Sequence, residues 1–165
     1  MATIDRESNS TDNANNLGRC FYYTAEEGLK EMRDVTHEKL KQLRNVENID
    51  LSNCKITDED LVHFAGVRIA FLCDCPNITD AGLSALAGVE IIDISGCRQI
   101  TDDALEALGS SLKYILMNDC QKITDRGIRA LTRIKFLQFH NCVHISYDCV
   151  CSFRNRGVRM DTIKA

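Results

Sequence analysis

From Val46 onward the chain repeats itself, and this periodicity limits what it can fold into more than any other feature. Five successive segments carry an apolar-x-x-apolar-x-apolar run with a cysteine three positions beyond it. The cysteines are Cys54, Cys75, Cys97, Cys120 and Cys142, spaced 21, 22, 23 and 22 residues apart. An isoleucine follows each cysteine (Ile56, Ile78, Ile100, Ile123, Ile145), and in four copies Thr-Asp comes next. A degenerate copy of the second half, VTHEKLKQLRN over 35–45, precedes the first full block.

Each block has a physical logic. Alternation over the apolar run places Val46, Ile49 and Leu51, or Ile134, Leu137 and Phe139, on the inward side of a short strand. The cysteine then turns inward at the bend, where a compact thiol is expected to pack against its counterparts in a buried column without demanding a hydrogen bond. The isoleucine plugs the core. Thr-Asp stands where a helix begins, so its oxygens are expected to accept orphan amide protons there and to suit the helix dipole. The helix buries residues three apart: Leu61 and Phe64, Leu83 and Leu86, Leu105 and Leu108, Ile128 and Leu131. A unit of this kind cannot bury its apolar face alone and must stack on its neighbours.

The L-x-x-L-x-L-x-x-C-x-x-I-T-D-x-x-L pattern, over roughly residues 35–160, resembles the cysteine-containing class of leucine-rich repeat. That class is found in the substrate-recognition arms of F-box ubiquitin-ligase subunits and in the antagonist-of-mitotic-exit family. The resemblance implies an α/β fold, a right-handed leucine-rich-repeat solenoid with a parallel sheet on the concave face and helices on the convex face. An F-box usually opens with Leu-Pro, and the only proline here is Pro76, inside the second repeat. Docking to a ligase through an F-box in this chain is therefore not expected.

The N-terminal part reads differently. Residues 1–17 lack apolar periodicity and are rich in Asn, Ser, Asp and Thr, which predicts a disordered tail. TAEEGLKEMRD, with acidic residues just after Thr24, reads as a helix. With the degenerate repeat it would form a helical N-terminal cap over 18–45, ahead of five repeats and a C-terminal strand or cap over 46–165.

Composition narrows the function. A net charge of -4 gives no broad electrostatic reason to bind nucleic acid or an anionic membrane. Apolar runs are far shorter than the roughly 20 residues a bilayer demands, and no basic, acid-poor start resembles an import signal. The expected location is cytoplasmic or nuclear, with a mitochondrial one the minority reading. Nine cysteines without an export signal are expected to be free thiols. Cys73 and Cys75, Cys149 and Cys151, and the histidines His140 and His144 beside Cys142 are the candidate metal ligands. In the repeat register Cys75 and Cys142 point inward while Cys73 faces the concave side, so Cys73 and Cys75 do not chelate easily, zinc sites usually take Cys-x2-4-Cys spacing, and no metal or cofactor is expected. Cys73 and His140 lie three repeats apart, about 14 Å at strand spacing, which is too far for a nucleophile and its base. The chain is expected not to be an enzyme.

The residues between the inward ones form columns along the concave side. The first holds Asn48, Ile69, Ile91, Tyr114 and Phe136; the second, Asp50, Phe71, Asp93, Leu116 and Gln138; the third, Ser52, Cys73, Ser95, Asn118 and His140. A fourth, nearer the loops, holds Asn53, Asp74, Gly96, Asp119 and Asn141. The core does not require the apolar side chains of the first two columns. An exposed apolar patch rimmed by Asp50, Asp74, Asp93 and Asp119 is the form of a protein-binding face. The expected contact residues are Ile69, Phe71, Ile91, Asp93, Tyr114, Leu116, Phe136, Gln138 and His140, with a protein partner, no nucleic acid and no membrane. Coverage by the tail or by self-association would also account for the patch. On function, the resemblance implies a substrate adaptor or regulator in a ubiquitin-ligase context. The alternative is a mitochondrial assembly factor, because ATP synthase subunit s (coupling factor B) looks like a similar array without an F-box.

Overall fold

The computed structural model of the chain describes residues 18–25 and 27–163. The expected tail over 1–17 lies outside the described residues. Five strands arise where the apolar runs place them: β3 (Val46–Asp50), β4 (Ile69–Phe71), β5 (Ile91–Asp93), β6 (Tyr114–Leu116) and β7 (Phe136–His140). Each pairs in parallel with the next, and β8 (Arg159–Ile163) adds a sixth parallel strand beyond β7. Between them run short helices: α2 (Asp58–Leu61), continued by a 3-10 turn at Val62–Phe64, then α3 (Asp80–Ser84), α4 (Asp102–Leu108), α5 (Asp125–Ala130) and α6 (Tyr147–Asn155). The degenerate copy supplies α1 (His37–Gln42). One layer of helices against one sheet, repeated along the chain, is the solenoid arrangement.

Residues 18–35 depart from the expected helical cap. They form a β-hairpin, β1 (Gly18–Thr24) and β2 (Gly28–Val35), and β1 pairs antiparallel with β3, giving the sheet order β2-β1-β3-β4-β5-β6-β7-β8. The helix formers of 25–34 carry only a weak local preference, which the tertiary setting overrides. Without β1, the first repeat would leave β3 with an unpaired edge. The aromatic run Phe21-Tyr22-Tyr23 favours a strand, Gly28 takes the turn at φ 73°, and Cys20 and Val35 are buried.

The core is continuous from Cys20 to Val158 and contains every inward residue expected of the repeats except Val46 and Ile145, which are half-buried. Three features tie one repeat to the next besides apolar contact. The thiols of the cysteine column do form hydrogen bonds, contrary to expectation. Cys75, Cys97, Cys120 and Cys142 donate to the carbonyls of Leu51, Leu72, Ile94 and Met117 at 3.1, 3.0, 3.3 and 2.9 Å, each on the preceding repeat. The residue before each cysteine sits in the left-handed region, with Asn53, Asp74, Asp119 and Asn141 at φ between 53° and 61° and Gly96 at 74°. Asn, Asp and Gly tolerate that conformation best.

The third tie is the Thr-Asp pair. Thr79, Thr101 and Thr124 cap their own helices, accepting from Ala81, Asp103 and Arg126 amides at 3.2–3.3 Å. The aspartates instead reach across to the following repeat. Asp58 accepts the Thr79 amide at 2.7 Å and its hydroxyl at 2.6 Å; Asp80 does the same for Thr101, Asp102 for Thr124, and Asp125 for Ser146. The carboxylate thus satisfies a helix start one repeat away. Small residues make room: a Cβ on Gly82 or Gly127 would collide with the carboxylate of Asp58 or Asp102. At the N-terminal end the roles change hands. His37 stands where the other repeats have the aspartate, and Asp60, from the same helix as Thr57, accepts the Thr57 amide at 2.8 Å. The His37 imidazole Nδ1 lies 2.6 Å from that buried Asp60. At the C-terminal end Tyr147 occupies the aspartate position and is exposed.

Burial pushes the Asp102 carboxyl up, but hydrogen bonds from Thr124, Arg126 and the Gly127 amide outweigh it and hold it below the ordinary carboxylate value. Replacing Asp102 with alanine leaves the Thr124 donors unpaired and is expected to destabilise the fold by about 2 kcal/mol in urea unfolding at neutral pH. A lowered native pKa contributes stability in full above the unfolded value near 4 and loses it as pH falls through the native value. The stability gap between wild type and D102A should therefore narrow below about pH 4, and an unchanged gap would show that the staple does not titrate.

Candidate protein-binding face

The parallel register aligns the columns as the sequence predicts: Asn48, Ile69, Ile91, Tyr114 and Phe136 run side by side, as do Asp50, Phe71, Asp93, Leu116 and Gln138. His140 ends β7 on the same face by alternation. All nine predicted contact residues therefore share the face of the sheet that no described helix covers, the concave side of the solenoid. Phe71 and Tyr114 are 38% and 39% exposed, and the other seven are half-buried. The rings of Tyr114 and Phe136 meet at 6.5 Å and 33°, an arrangement in which aromatic pairs attract.

The hairpin extends this face in a way the repeat pattern could not foresee. Tyr23 pairs with Asn48 and Leu29 with Tyr23, which prolongs the first column; Phe21 pairs with Asp50 and prolongs the second. Phe21 and Tyr23 are each 36% exposed and Leu29 is 72% exposed. The signal was present in Phe21-Tyr22-Tyr23, where alternation sends the first and third rings to one side. At the opposite end β8 adds Arg159 beside Phe136 and Asp161 beside Gln138.

The rim carboxylates have structural duties as well. Asp50 and Asp93 accept the amides of Ser52 and Ser95 at 3.0 and 2.9 Å, closing the turn after each strand. Asp74 and Asp119 fill left-handed turn positions, and Asp119 accepts from Asn141 Nδ2 at 2.7 Å. The Asn118 Oδ1 atom is buried without a hydrogen-bond partner, while its backbone amide donates to Ser95 Oγ at 3.1 Å.

Cysteine chemistry finds little support in this geometry. Cys73 points to the open side near Asp74 at 3.5 Å, whereas Cys75 is buried and donates to Leu51, so the pair diverges. Among the described residues no three His, Cys, Asp or Glu side chains converge as metal ligands. Burial pushes the thiols of Cys20, Cys75 and Cys97 up to about 12 and raises Cys120 and Cys142 as well. Burial, then the charges of Asp93 and Asp74, takes Cys73 to about 11. Among the described residues, shallow grooves of about 370, 420 and 540 Å³ lie at loop or helix ends, the second of them lined by Asp74 and Gly96 of the fourth column. No described helix is long and apolar enough to cross a membrane.

A leucine-rich-repeat family profile matches residues 42–65 and 89–109. The fold is a leucine-rich-repeat solenoid. No curated protein matches the chain. Among solved structures it is similar to a chain in the crystal structure of the yeast Rad7 and Elc1 complex, at a TM-score of 0.50 and 14% identity. That similarity covers 57% of this chain and 28% of the other, and it bears on the fold alone. Repeat solenoids of this type are typically non-enzymatic scaffolds for protein-protein interaction, with extended binding surfaces built by stacking.

Only Cys73 and Cys151 are more than marginally accessible. In native buffer at pH 8 a maleimide or disulfide reagent should label no thiol beyond these two, with all nine reacting in denaturant. Rapid native labelling of Cys97 or Cys120, located by mass spectrometry, would contradict a closed column.

Proposed function

We propose that the chain is a binding module that holds a protein partner on the open face of its sheet, through Ile69, Phe71, Ile91, Tyr114, Leu116 and Phe136. Asp93, Gln138 and His140 are the polar contacts beside them. The observation that carries this reading is the exposure of Phe71 and Tyr114, each above a third, in the middle of a sheet face that no described element covers. Large aromatics held rigidly by paired strands lose little entropy when they are buried again by a partner. The cellular role proposed with it is that of a substrate adaptor or regulator in a ubiquitin-ligase context, which rests on the resemblance of the repeats to F-box recognition arms. The yeast Rad7 structure, in which a chain of similar fold stands in a complex with Elc1, is compatible with an adaptor role.

The test is affinity capture with wild type beside the F71A, Y114A, F136A triple variant. Phe71 and Tyr114 are over a third exposed and Phe136 is half-buried, so each substitution should cost about 1 kcal/mol of folding stability, and circular dichroism checks that the variant is folded. Each lost anchor should weaken the partner by about 2 kcal/mol, roughly 30-fold in Kd. A partner retained equally by both proteins would show that the face is not the site. Absence of ligase components among the captured proteins would count against the adaptor role.

A further inference from the structure

At its C-terminal end the open face meets a group of cations that the described residues do not pair. The position just before the first column carries Glu47, Arg68, Glu90, Lys113 and Lys135 in successive repeats. Glu90 lies 3.4 Å from Arg68 and 2.8 Å from Lys113, so this rim is balanced as far as the fourth repeat. Lys135 then follows Lys113 directly, with their backbones joined by a 2.8 Å hydrogen bond, and the Arg159 amide donates to the Lys135 carbonyl at 3.0 Å. Arg133 precedes Lys135 in one loop and Arg156 precedes Arg159 in the next. Among the described residues none of these four forms an ion pair; Arg156 stacks over Phe153 at 4.7 Å, and Asp161, two positions along β8 from Arg159, is not paired with it. Like charges on adjoining strands repel, and this uncompensated group borders the Tyr114–Phe136 ring pair through the Phe136–Arg159 register.

We infer that this end of the face takes an acidic segment of the protein partner. An apolar side chain of the segment rests on Phe136 and Tyr114 while its carboxylates pair with Lys135 and Arg159. The inference rests on the concave-face reading and adds the partner's charge and its direction on the sheet. A nucleic acid fits less well, because a phosphate backbone continuing along the face would meet Asp93 and Asp50, whose columns hold no Lys or Arg in the five repeats. A segment that is acidic only at its end avoids them.

A phage library of random heptapeptides selected on the full chain at near-physiological salt tests this. Enriched sequences should combine Asp or Glu with Phe, Tyr or Leu. A synthetic peptide of that sequence should bind about tenfold more weakly to the K135E, R159E variant and lose affinity as salt rises. No enrichment, enrichment of Lys and Arg, tighter binding of a single-stranded oligonucleotide, or an unchanged affinity in the charge-reversed variant overturns the inference. Peptides lost by the F71A, Y114A, F136A variant but indifferent to the charge reversal overturn it while leaving the concave face as the site. Peptides indifferent to both variants overturn both readings.

Discussion

The architecture depends on one carboxylate per repeat that serves a helix it does not belong to. A helix of four to nine residues is too short to be stable alone in water. From α3 to α6 each helix has an N-terminal amide secured by a threonine or serine whose own amide and hydroxyl are held by the preceding repeat's aspartate. The cysteine thiols make a second backward link, from the end of each strand to the carbonyl of the one before. Apolar burial supplies the larger share of the stabilisation. The polar links fix the spacing, since a slip of one residue would break both bonds at each aspartate.

The repeats were legible because their constraint is local and recurs. Ile49, Leu72, Ile92, Ile115 and Leu137 could be assigned inward from alternation alone, and the register that follows from aligned copies is the one observed. Two things escaped. The hairpin over 18–35 occurs once, so no second copy exposed its pattern, and its Glu, Leu and Lys content favours a helix that the sheet edge does not permit. The targets of the repeated aspartates also escaped, because a carboxylate at a helix start looks the same whether it caps its own helix or a neighbour's. Only the stacking geometry decides between them.

For the candidate face, column assignment was readable and extent was not. Phe71, Tyr114 and Phe136 emerge from the period, while Phe21, Tyr23 and Leu29 join them only once the hairpin is known. Arg159 was likewise hidden, because its significance comes from its place beside Phe136 in β8. The face that results is graded along the stack: aromatic and aliphatic through the middle, acidic along the loop side, and edged at its far end by Lys135 and Arg159, with Asp161 nearer the loops.

The two ends of the aspartate series have a consequence for how the repeats are coupled. The position that reaches forward holds His37 before the first full repeat and Tyr147 in the fifth, and neither can accept an amide and a hydroxyl together as a carboxylate does. Where the aspartate is missing the link between neighbours is released but the helix start need not be: after His37, Asp60 of α2 itself takes the Thr57 amide and hydroxyl. A repeat of this kind can thus be tied to its neighbour or closed on itself by moving one carboxylate two positions along the chain, like a hook fastened either to the next link or to its own.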